Sequence, residues 1–182
     1  MKRFLLLASL LVSFQVLFAQ PRTIQRHFYG LTLGETYTQE EVVGTLSDKG
    51  LDIFATEWSD GQGLIAFDSL SFGGFDWTGG GLQLFGDKDG VLAKVSFHLA
   101  GETPEDLLVV EDKLVSLLTA KYGKPRKLKP NTYAWIDSAS VWESDSCMAV
   151  VQQIESSDGS PVLTLGYALV DVLIRETGLD EL

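Results

Sequence analysis

Apolar residues recur along this chain at two spacings, one helical and one extended. Thr38-Gln39-Glu40-Glu41 has the form of a capping box, in which the threonine hydroxyl takes an orphan amide and Glu41 reaches back. Val42, Val43 and Leu46 come next at helical spacing, and Gly50 suits the left-handed residue that ends a helix. The same order returns at Thr103-Pro104-Glu105-Asp106, with proline at the first helical position and acids in the first turn. Leu107, Val110, Leu114, Leu117, Leu118 and Tyr122 then form an apolar stripe, stopped by Gly123 and Pro125. Each helix comes after a Gly-Glu-Thr tripeptide, at 34–36 and at 101–103.

Beyond each helix the chain turns strand-like. Leu64–Phe67 and Leu82–Phe85 read as strands, and Val91, Ala93, Val95, Phe97 and Leu99 alternate with Lys94, Ser96 and His98. Asp87-Lys88-Asp89-Gly90 reads as a hairpin turn, with Gly90 taking positive φ. In the second half Tyr133–Ile136, Ser140–Glu143, Met148–Ile154 and Val162–Ala168 are candidate strands, with a turn at Ser157-Asp158-Gly159-Ser160. Asp89-Gly90 recurs as Asp158-Gly159, 69 residues on, and Gly34 recurs as Gly101, 67 residues on. The pattern predicts an α+β fold of two tandem helix-plus-antiparallel-sheet repeats, residues 20–100 and 101–182. Their strands form one curved sheet with the helices packed on one face. Asp171–Leu182 reads as a short terminal helix.

Composition adds a compartment. Lys2-Arg3, the 15 apolar-rich residues Phe4–Phe18 and Ala19 read as a signal peptide over residues 1–19, so the expected location is periplasmic or secreted. The apolar run is short for a membrane span and is interrupted by Ser9, Ser13 and Gln15. The formal net charge is −11, and loss of Lys2 and Arg3 leaves 12 basic against 25 acidic residues. That balance argues against nucleic acid as a partner and against insertion in a membrane once the leader is gone. Cys147 is the only cysteine and falls in an apolar run, so it is expected to pack in the core.

Phe28-Tyr29-Gly30-Leu31-Thr32-Leu33-Gly34 before the first helix, Phe72-Gly73-Gly74-Phe75 before a hairpin, and Lys121-Tyr122-Gly123-Lys124-Pro125 after the second helix form an ordered set. Together they resemble a group of exported bacterial proteins with a β-lactamase-inhibitor-protein-like fold. The resemblance spans the chain after the leader and implies that fold and a protein-binding role. The inhibitor's own disulfides have no counterpart in a chain with one cysteine, and no inhibitory residue carries over.

Chemistry-bearing motifs are sparse. His27 and His98 lie far apart with Cys147 the only thiol, short of the three or four converging ligands of a zinc site. Asp87-x-Asp89-Gly90 opens like a calcium loop, but His98 stands where the closing glutamate belongs. Gly79-Gly80-Gly81 lacks the Lys-Ser/Thr of a phosphate loop and reads as a bend or a close approach of backbone. No cofactor and no metal are expected. Aromatic residues remain: Trp58, Trp77, Trp135 and Trp142 lie in or beside strands, where they fill the core or anchor a partner. Tyr133 and Trp135 share one strand face, and Trp77 and Phe75 flank the glycine-rich bend, which makes these four the candidate binding residues. The expected function is a non-enzymatic binding module for an envelope or extracellular protein. The alternatives are a hydrolase with carboxylates assembled by folding, and a structural dimer through the sheet edge.

Overall fold

The computed structural model of the protein describes residues 23–137 and 146–171. Both helices start where the capping boxes place them. In α1 (Gln39–Asp48) the Glu41 amide donates to Thr38 Oγ1 at 3.2 Å, and Glu41 Oε2 accepts from the Thr38 amide at 2.8 Å. In α2 (Pro104–Tyr122) Thr103 and Asp106 make the same reciprocal pair. Each cap satisfies an amide that has no partner inside its helix. Gly50 and Gly123, with φ of 78° and 92°, end the helices as expected.

Val42 and Leu46 of α1 are buried, as are Leu107, Leu114 and Leu118 of α2. Leu117, expected in the stripe, is instead 49% exposed, while Glu111 is buried. Buried positions 107, 111, 114 and 118 advance by four, three and four, which keeps one line down a helix. Leu117 lies a residue off that line, and Glu111 lies on it.

The strands are β1 (His27–Phe28), β2 (Leu31–Thr32), β3 (Thr36–Thr38), β4 (Ile53–Ser59), β5 (Gln62–Phe67), β6 (Leu70–Phe72) and β7 (Phe75–Trp77). They continue with β8 (Gly79–Phe85), β9 (Asp89–Ala100), β10 (Arg126–Lys129), β11 (Thr132–Ile136), β12 (Cys147–Glu155) and β13 (Pro161–Leu169). One antiparallel sheet runs β10-β11-β12-β13-β9-β8-β5-β4, with β3 pairing the start of β9. The protein is therefore α+β. After α1 the chain works inward from one edge to β9, and after α2 inward from the other edge to β13. Those two last strands meet in the middle, with Leu165 opposite Phe97. Inward-facing Val95, Phe97, Val151, Leu163 and Leu165 join the helix residues in one buried cluster.

The alternation expected for β9 is broken. Gln83 pairs with Lys94 but Leu84 pairs with Leu92, so Ala93 is an extra residue, a β-bulge. The bulge turns Leu92 inward and leaves Val91 37% exposed. The turn before β9 is also shifted from expectation. Gly86, at φ 150°, takes the glycine-only conformation rather than Gly90, and a Cβ there would stand 2.0 Å from the Asp89 carbonyl oxygen.

Glycines inside the sheet make room for rings. A Cβ on Gly63 would meet the Trp58 ring at 2.6 Å, and one on Gly90 would meet that ring at 3.0 Å. Trp58 lies across both and donates from Nε1 to the Gly86 carbonyl at 3.0 Å. Gly80 gives the same clearance to Phe67, which fits the expected close approach at the glycine run. The leader, the candidate strand Ser140–Glu143 with Trp142, and the terminal segment beyond Asp171 lie outside the described residues. No helix among the described residues is long and apolar enough to cross a membrane.

Candidate functional site

The register fixes which face each candidate residue occupies, because directly paired residues share a face. Trp135 pairs with Ala149, and Tyr133 with Val151, on the side the helices cover. Trp135 is 3% exposed and donates from Nε1 to the Gly123 carbonyl at 2.8 Å, joining β11 to the end of α2. Trp77 is 2% exposed and donates to the Phe72 carbonyl at 3.0 Å. Its ring packs 5.7 Å from Phe97, and Phe72 stacks on Phe97 at 4.1 Å. The hairpin β6–β7 thus closes the core with aromatic rings. Trp77 and Trp135 are core residues, not an exposed anchor: register puts Trp135 on the helix-covered face, and the separate β6–β7 hairpin turns Trp77 against Phe97. Tyr133 and Phe75 are half-buried on the rim of the core, under Lys127 and Lys113.

The opposite face has a different surface. Arg126, Ala134, Val150, Gly166, Ser96, Gly81, Ala66 and Ala55 pair one with the next across all eight strands. Between Val150 and Ala55 this row contains only alanine, serine and glycine, so it forms a shallow trough. A Cβ on Gly166 would meet nothing within 4 Å. One bank carries Lys94, Gln83, Leu64 and Glu57. The other carries His98, Thr164, Gln152 and Thr132. Burial and then the Lys94 charge lower the His98 pKa, favouring neutral imidazole. One end of the face is closed: Ala134, Met148 and Val170 are buried together against Ile136 and Val150. The half over β9, β8, β5 and β4 is the more open one.

Two buried groups lie apart from this face. Cys147 is fully buried, as expected, and burial, then the Asp137 charge, pushes its thiol up to about 12. Asp137 pairs with Arg26 at 3.3 Å and accepts from the Cys147 amide at 2.8 Å, tying the N-terminal strap to β11 and β12. Glu111 is a residue that sequence reasoning missed, since an acid on a helix usually faces water. Burial raises its pKa most, Asp112 adds to that, and Gln153 and Lys127 oppose it. Its Oε2 and the Gln153 Nε2 have no partner in hydrogen-bonding geometry, although the amide is near enough to favour the charged form.

A raised folded pKa means that ionising Glu111 opposes folding. Its penalty is absent below the ordinary value of 4.5 and grows as pH rises above it. Glu111→Gln is therefore expected to match the parent near pH 4 and to exceed it in stability at pH 7. Urea midpoints measured across that range check the sign; equal midpoints at both pH values would refute it. Compared with known protein families, curated protein sequences and solved structures, the chain matches none.

Proposed function

We propose that the chain is a non-enzymatic, exported binding module that takes a protein partner in the trough on the face of its sheet opposite α1 and α2. The observation that carries this reading is the row of small residues from Gly166 to Ala55, with open space at Gly166, a polar bank on one side and a mostly polar bank interrupted by exposed Leu64 on the other. A surface whose middle is backbone and methyl groups lets a partner segment approach closely, while His98, Gln83 and Gln152 supply orientation by hydrogen bonding. We read the architecture as two tandem units, α1 with β4, β5, β8 and β9, and α2 with β10–β13. The matching strand orders and the central β9–β13 pairing support that reading, and with it the resemblance to the β-lactamase-inhibitor-protein-like group.

Gly166→Phe tests the site without touching the core. The variant is expected to keep the parent's denaturation midpoint and to lose the envelope or extracellular protein that the parent co-purifies. Capture of the same partner by both proteins would place the binding surface elsewhere.

A further inference from the structure

The two edges of the sheet carry opposite charge. From Leu51 to Asp68, through β4 and β5, there are four acids (Asp52, Glu57, Asp60, Asp68) and no lysine or arginine. From Lys121 to Ala134, through β10 and into β11, there are five bases (Lys121, Lys124, Arg126, Lys127, Lys129) and no carboxylate. Lys124, Arg126, Lys127 and Lys129 are in no ion pair among the described residues. β4 and β10 are the outermost strands, so the sheet has an acidic end and a basic end.

The edges also match in shape. Each carries one bulged residue, and both are large, exposed apolar side chains. Phe54, between Ile53 and Ala55, is 70% exposed, and Leu128, between Lys127 and Lys129, is 53% exposed. Strand direction permits pairing. All seven steps from β10 to β4 are antiparallel, so the two edges run in opposite directions. A second copy in the same orientation therefore sets its β4 antiparallel to β10. Arg126 and Lys129 lie on the trough face, opposite Ala134 and Thr132, and Glu57 lies on that face opposite Leu64. In the continued sheet these charges project from one side, where opposite charges across a pair attract.

We propose that the chain assembles head to tail with further copies of itself, β10 of one copy adding to β4 of the next. Lysines on an edge strand ordinarily keep edges apart. Here they repel a second β10 and attract β4, so the favoured contact joins two different surfaces and extends the series instead of closing a dimer. Glu57 and Arg126 border the trough, but the contact is made by the strand edges and does not require the trough's partner.

Sedimentation velocity on the protein purified from expression of the full chain reads the outcome. At about 0.15 M salt, screening over ~8 Å weakens repulsion between the acidic bodies more than it weakens contact pairs. The expected result is a ladder of species beyond dimer that grows with concentration. On the trough face of the edge strands, Glu57→Lys, made together with Asp52→Lys, leaves only bases at both edges, and Arg126→Glu with Lys129→Glu leaves only acids. Each double variant is expected to be monomeric with an unchanged circular dichroism spectrum, and an equal mixture of the two to regain the ladder. A parent that stays monomeric or stops at a dimer overturns the proposal. So do double variants that assemble alone, or a folded mixture that stays monomeric.

Discussion

Trp135→Ala and Trp77→Ala are expected to lose the fold's stability rather than a binding surface. Deleting a buried tryptophan ring costs about 3–5 kcal/mol, a large share of the ~5–15 kcal/mol that holds a domain. Trp135 has a second role, because its indole N–H satisfies the Gly123 carbonyl where α2 ends. Trp135→Phe keeps six of the nine ring atoms but loses that hydrogen bond and part of the packing, so it should recover part of the stability, remaining about 1–3 kcal/mol below the parent. Tyr133→Ala should be milder than either tryptophan→alanine variant, since Tyr133 is half-buried on the rim. Urea denaturation of the four variants ranks them. A Trp135→Ala protein as stable as Tyr133→Ala would contradict the burial of the indole.

Gly80→Ala is the second severe change. At the start of β8, Gly80 lies between Phe67 of β5 and Phe97 of β9. A Cβ there would stand 2.4 Å from the Phe67 ring and 2.6 Å from the Ser96 carbonyl oxygen. The ring can move only by giving up its place in the core, and the carbonyl belongs to the central strand, so the expected cost is about 1–3 kcal/mol. Gly166→Ala is the matched control, also a glycine in a central strand but with open space around it. Thermal denaturation of the pair should separate them clearly. Equal midpoints would mean that the clearance at Gly80 is not needed.

The parts of the fold legible from sequence are those with a local cause. Thr38, Glu41, Thr103 and Asp106 satisfy backbone amides within their own helix turns, so both helix starts can be read directly. β5, β8, β9, β11, β12 and β13 each have an apolar run within them, and the burial of Cys147 is legible for the same reason. β4 and β10 are not legible. As edge strands with most or all residues exposed, they carry no inside–outside alternation to read.

Of the candidate site, residue type is legible and orientation is not. Alternation puts Tyr133 and Trp135 on one face, and they do share one; which face the helices cover depends on how α2 docks. The trough is invisible in sequence because Ala134, Gly166, Ser96, Gly81, Ala66 and Ala55 come from separate strands and become neighbours only through register. Glu111 gives no signal for a related reason, since its burial is imposed by the sheet beneath α2. Short-range hydrogen bonding, apolar periodicity and charge count are enough to set the helix ends, the inner strands and the strongly acidic balance. Folding settles the rest: which aromatics are core, which face α1 and α2 cover, and that acidic and basic segments end at opposite edges of one sheet. Those properties come from pairing between residues far apart in the chain, where no local preference acts.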